Sequence, residues 1–225
     1  MLKFFERQKM YKESLFLGAL SAICLSLSIF RFLYTDSTMY LFLIWNLFLA
    51  CISWFLTRLL MAKPKLQKRK LIIISVIGVW ILFFPNAPYI LTDLFHLRLR
   101  SSMPIWFDLV LVLSYAWTGL LFGFLSLWDI EKIIGNAFNN SVKTFLSICM
   151  LFLGSFGIYV GRYLRWNSWD LLTDPFRIIY DIGHRVIFPF QHPTTWGMTM
   201  ALGLFLTILY LSFKYIQERD VKSVI

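Results

Sequence analysis

Six stretches of mostly apolar residues dominate the sequence: Leu15–Leu33, Tyr40–Leu60, Leu71–Leu91, Ile105–Trp128, Ser141–Tyr163 and Trp196–Tyr215. Each is about 20 residues long, the length an α-helix needs to cross the hydrocarbon of a bilayer. In lipid a backbone must satisfy its own N–H and C=O groups, so such runs are read as helices and not as open strands. The expectation is an all-α integral membrane protein with six transmembrane helices, forming a single membrane domain over residues 1–225. The third run is the least regular, because Pro85 and Pro88 interrupt it. Five spans with a re-entrant third segment is the competing reading.

Composition excludes the soluble alternative. Charged residues make up 15% of the chain and hydrophobic ones 59%, against about a quarter charged in an ordinary soluble domain. Cys24, Cys51 and Cys149 each stand alone in an apolar run, without metal or redox spacing, and read as small packing residues. Lys3, Arg7, Lys9 and Lys12 precede the first span, whose apolar run continues well past Ala19 and Ala22. That pattern fits an uncleaved signal anchor better than a cleaved leader.

The net charge of +10 is distributed by topology. With the N-terminus inside, fifteen of the 22 Lys and Arg residues fall on the inner side, including the Lys63–Lys70 loop. Arg31, Arg98, Arg100, Arg162, Arg165, Arg177 and Arg185 fall on the outer side. Cytoplasmic loops retain positive charge, so both termini are expected in the cytoplasm and nucleic-acid binding is not. All three histidines and six of the eight aspartates then lie outside, while all four glutamates lie inside. On this reading the inner face is chemically plain and the outer face is the working one.

The densest polar signal is the segment Phe83–Leu97, containing Pro85-Asn86-Ala87-Pro88 and then Tyr89, Asp93 and His96. Each proline removes a backbone donor and disfavours αR at the residue before it, so the third helix should break here. Asn86 either donates to a freed carbonyl or serves as a polar ligand in the opening. If helix resumes after Pro88, Tyr89, Asp93, His96 and Arg100 share a face. A carboxylate beside an imidazole can orient it as a general base, making Asp93 and His96 the candidate catalytic pair. A simple chain of hydrogen bonds, with Asp93 held by an arginine, is the structural alternative. These two residues are too few for a metal centre unless Asp170 or Asp174 completes it.

A second cluster spans Gly154–Asp170. Gly154, Gly157 and Gly161 form a small face for close helix contact. Arg162 and Arg165 follow, suited to anchoring the helix end or to clamping a phosphate or carboxylate. Asn167 or Ser168 can cap a short helix, and Asp174-Pro175 supplies an N-cap and first-turn proline for another. From Pro175 to Phe188, Phe176, Ile179, Ile182 and Val186 share one face while Arg177, Asp181 and Arg185 share another. This predicts an amphipathic helix on the outer membrane surface between spans five and six, ended by Pro189. Asp108 enters the outer end of span four, where an ionisable group is a functional candidate by default. Its expected structural partner is an arginine of the second cluster. Arg31 reads as a residue that snorkels to the interface.

The Phe-Pro-Asn-Ala-Pro-Tyr…Thr-Asp-Leu-Phe-His string ending at His96, together with Gly161–Asp170, resembles a bacterial family of multi-span membrane proteins catalogued only as a domain of unknown function. The resemblance covers roughly residues 77–207. It implies a bacterial cytoplasmic-membrane location and transfers no activity.

No Walker loop, dinucleotide fingerprint, His-Glu-x-x-His or Gly-x-Ser-x-Gly occurs, so no cofactor is expected. The favoured expectation is an outward-facing pocket that binds a lipid headgroup or another anionic amphiphile. Asn86, Asp93, His96, Asp108, Arg162, Arg165, Asn167, Asp170 and Asp174 would line it, with membrane lipids as partners and no protein partner indicated. A lipid- or envelope-modifying enzyme there would use His96 as base, Asp93 as its orienter and the two arginines as anion clamp. A transporter built on the broken helix, or a non-catalytic assembly protein, would use the same groups differently.

Overall fold

The computed structural model describes residues 2–64, 66–97, 103–135, 138–166 and 170–222. They form helices α1 (Leu2–Thr35), α2 (Phe42–Ala62), α3 (Lys70–Phe83), α4 (Asn86–Tyr89), α5 (Ile105–Ile133), α6 (Asn140–Tyr163), α7 (Asp170–Thr173), α8 (Pro175–Ile187) and α9 (Pro193–Lys222). No strand occurs among these residues. Six helical segments are long and apolar enough to cross a membrane, the third running from Lys70 to His96. The third segment is therefore long and apolar enough to span.

Helix α5 is the axis of the bundle and touches α1, α2, α4, α6 and α9. One core packs Leu17, Leu43, Leu47 and Ala87 against Leu111, Val112 and Tyr115 of α5. The other packs Trp80, Phe84, Leu151, Leu206 and Tyr210 against Leu120, Phe124 and Leu127. The outer helices leave large side chains such as Phe16, Phe55, Leu71 and Ile208 exposed. That arrangement is sensible only where lipid is the solvent.

The proline segment bends without losing helical dihedrals, since Phe84 and Pro85 both remain αR. The Ala87 N–H bonds three residues back to the Phe84 carbonyl at 3.1 Å. This releases the Phe83 carbonyl, which instead accepts from Asn86 Nδ2 at 3.0 Å. From Ile90 to His96 the chain winds as a 3-10 helix. Its tighter pitch eclipses residues three apart, so Asp93 aligns with His96 and Tyr89 with Thr92. The α-type face expected for Tyr89, Asp93 and His96 together is thus corrected, and Arg100 lies outside the described residues.

Glycines let the bent segment sit between two helices. A Cβ on Gly119 of α5 would lie 2.9 Å from the Ala87 carbonyl oxygen, and one on Gly123 2.9 Å from the Ala87 Cβ. On the other side, Gly154, Gly157 and Gly161 of α6 face Phe84, Pro85 and Tyr89, with Cβ distances of 3.0, 2.9 and 3.2 Å. The small face read from the sequence therefore exists to receive the bent third segment.

Two end features follow the sequence closely. Asp174 caps α8 by accepting from the Arg177 N–H at 3.4 Å, and Pro175 opens the helix. Phe176, Ile179 and Val186 are exposed on one side of α8. Its polar side is engaged, with Trp166 Nε1 donating to Asp181 Oδ2 at 2.9 Å and Arg185 Nη1 donating to the Asp181 carbonyl at 2.7 Å.

Candidate functional site

At the α8 end of the bundle, Asp93 is buried, with 1% side-chain exposure, and ion-paired to Arg162. Its second oxygen accepts from Asn46 Nδ2 of α2 at 3.0 Å. Arg162 also donates to Thr92 Oγ1, from Nε at 3.1 Å and from Nη2 at 2.8 Å, and its guanidinium lies 4.3 Å over the Tyr89 ring. One cation therefore grips three residues of the bent segment. A lone carboxylate at this depth would be very costly; pairing and hydrogen bonding offset the desolvation.

His96 Nδ1 lies 3.8 Å from Asp93 Oδ1, too far for a hydrogen bond. Its ring packs against Phe42 at 5.4 Å, and its carbonyl accepts from Tyr40 Oη at 3.2 Å. Asp93 is thus committed to Arg162 and Asn46 rather than to orienting the imidazole.

Beside this group lies a cavity of about 360 Å³ between α2, the bent segment, α6 and the α7–α8 stretch. Leu49, Ile81, Leu82, Leu153, Phe156, Val160, Leu171, Ile178 and Ile182 supply an apolar lining, and Trp45 and Trp166 add aromatic surface. Asn46, Asn86 and Tyr89 are its polar members. A largely apolar pocket of this size with a few convergent polar groups is the usual form of a small-molecule site.

The residues singled out from sequence distribute unevenly around it. Asn86 lines the cavity while also serving the freed carbonyl. Asp93 and Arg162 meet and adjoin the cavity through Asn46 and Tyr89. His96 is not among the lining residues. Arg165 is exposed and adopts a left-handed backbone (φ 61°) that ends α6, while the Trp166 N–H reaches back to the Val160 carbonyl at 3.3 Å. Asp170 and Asp174 stand at the starts of α7 and α8 and not in the cavity. Asn167 lies outside the described residues.

Asp108 and Arg31 require a correction. Asp108 does not pair with the second cluster. Arg31, 2% exposed, reaches it with Nε at 2.7 Å and Nη2 at 3.3 Å. Arg31 is therefore a buried partner and no snorkelling residue. Its guanidinium lies 4.6 Å over the Tyr40 ring, which joins this pair to the His96 carbonyl.

The end expected to be chemically plain also carries buried ion pairs. At the opposite end, Arg58 pairs with Glu13, and its Nε lies 2.9 Å from Asp129 Oδ2. Glu131 accepts from Ser147 at 2.5 Å, Tyr210 at 2.9 Å and Lys214 at 2.7 Å. These contacts tie α1, α2, α5, α6 and α9 together. Asn46 is the site residue that the charge and motif patterns do not single out. An amide in mid-span is itself a signal, because amides in lipid seek interhelical partners.

Six helices of spanning length, with α5 at their centre and an apolar cavity between α2, the third segment and α6, define a multi-pass helical membrane protein. The chain belongs to the family described as "Protein of unknown function (DUF1361)", whose profile matches residues 45–209. That stretch contains the bent segment, the glycine face, Asn46, Asp93 and Arg162. No curated protein and no solved structure matches the chain.

Proposed function

We propose that this protein binds a membrane amphiphile, with the apolar chain in the cavity and the headgroup beside Asn46, Asn86 and Tyr89. The observation that carries this reading is the cavity itself. Its walls are mostly hydrocarbon and aromatic, yet its polar members gather beside the Asp93–Arg162 pair. Arg162 is neutralised by Asp93, so the headgroup meets no buried free guanidinium there. Binding is the reading and not proton-transfer chemistry, because the oxygens that would orient His96 are engaged elsewhere.

A diacyl lipid carrying a photoreactive acyl chain, added to the reconstituted protein, tests it. Crosslinks should map to α6 and α8 around Leu153 and Ile182, and Val160→Trp, which fills the cavity, should reduce them at least tenfold. Labelling confined to the exposed faces of α1 and α9, and insensitive to Val160→Trp, contradicts it.

The charge asymmetry of the loops supports an extracytoplasmic position for this site in a bacterial cytoplasmic membrane, with both termini inside. Reporter fusions after Lys132 and Lys222 should read cytoplasmic, and one after Asp181 extracytoplasmic. An extracytoplasmic signal at Lys132 would reverse the assignment.

A further inference from the structure

The polar lining of the cavity also specifies the headgroup. Asn46 Nδ2 donates to a carboxylate and Asn86 Nδ2 donates to a backbone carbonyl. Neither of those partners can donate a hydrogen, which fixes both amides with the NH₂ group on the protein side. Each therefore has its carbonyl oxygen left over. Among the described residues no group donates to Asn46 Oδ1 or Asn86 Oδ1, and Tyr89 Oη makes no hydrogen bond. None of the three atoms is sealed inside the protein. Asn86 and Tyr89 are three apart on α4, hence on one face, and Asn46 comes from α2, which packs against α4.

Resting on the amphiphile reading above, we infer that this cavity selects headgroups bearing hydrogen-bond donors, an ammonium or hydroxyl, over headgroups recognised by negative charge alone. Two amide carbonyls can only accept, and a phenol can accept as well as donate. The Arg162 guanidinium spends Nε and Nη2 on Thr92 and Asp93, and its charge is balanced by the Asp93 carboxylate. A donor group entering here meets three acceptors in surroundings of low dielectric, where hydrogen bonds count for more than in water. A headgroup without donors leaves those oxygens unmatched.

Phosphatidylethanolamine and phosphatidylcholine differ only in three N-methyl groups, which remove every N–H donor. Binding of their dioleoyl forms to the detergent-purified full chain can be compared by native mass spectrometry, with dioleoyl phosphatidylmethanol as an anionic lipid lacking any donor. Phosphatidylethanolamine should bind about tenfold more tightly than phosphatidylcholine, and phosphatidylmethanol no better than phosphatidylcholine. Tyr89→Phe breaks no hydrogen bond within the protein and keeps the ring under Arg162, so it should fold normally. It should lower the preference about threefold, and Asn86→Leu combined with it should remove the preference. Equal binding of the two zwitterionic lipids, a preference unchanged in Tyr89→Phe, or strongest binding of phosphatidylmethanol overturns the inference while leaving an amphiphile site standing. Failure of all three lipids to bind overturns both.

Discussion

Asp93→Leu is expected to destabilise the protein by about 3–5 kcal/mol, because it strands a guanidinium that is largely enclosed by the bundle. The mirror change, Arg162→Met, should cost at least as much. Asp93 has 1% side-chain exposure against 14% for Arg162, and Asn46 alone would remain to satisfy it. The double variant should recover most of the loss. Two apolar side chains of similar volume remove the charge that each single variant leaves unpaired, although Thr92 and Asn46 then lose a partner. Unfolding of the purified protein by SDS in mixed micelles measures all three. Strictly additive losses in the double variant would mean that the two residues stabilise the bundle independently. Headgroup preference should weaken in the single variants even where folding is preserved, since Arg162 positions Tyr89 and Asp93 positions Asn46.

The second large effect is expected at Gly119. A side chain there meets the Ala87 carbonyl at 2.9 Å and Ile90 Cδ1 at 2.8 Å. The carbonyl belongs to a backbone already held on the opposite side by Gly157 of α6 against Pro85, so it has little room to retreat. Gly119→Leu should therefore cost about 3 kcal/mol, at the upper end of typical overpacking, and should displace Asn86 and Tyr89 from the cavity wall. Gly78→Leu is the matched control. Nothing lies within 4 Å of a Cβ at that position, and replacing a mid-helix glycine should gain up to about 1 kcal/mol. Thermal unfolding in detergent, paired with lipid binding, separates the outcomes. Equal effects at Gly119 and Gly78 would show that the close approach of the bent segment to α5 contributes little.

Both predictions concern the same junction, which local sequence pattern specifies only in part. The spans were legible because burial in lipid imposes a simple requirement on about 20 consecutive residues. The bend was legible because proline acts on its own backbone and that of its neighbour. Asp174-Pro175 announced the start of α8 for the same local reason. The glycine face could be recognised as a packing surface, but its partner could not be named. That partner is Pro85 and its neighbours, about seventy residues earlier in the chain.

What the sequence alone determined was the set of segments: six apolar helices, the bent third span and the amphipathic stretch before α9. Each is dictated by neighbours in the chain, through backbone sterics or through the length a bilayer demands. Only the tertiary structure decided the pairing of the charges. Arg31 takes Asp108, Arg162 takes Asp93, and Arg58 and Lys214 hold the acids at the far end. Charge attraction has no preferred separation along the chain, so a sequence containing several arginines and aspartates permits many pairings. Packing of α1, α2 and α6 around α5 leaves each buried acid a partner within reach. The same packing brought Asn46 into the site and turned His96 away from it.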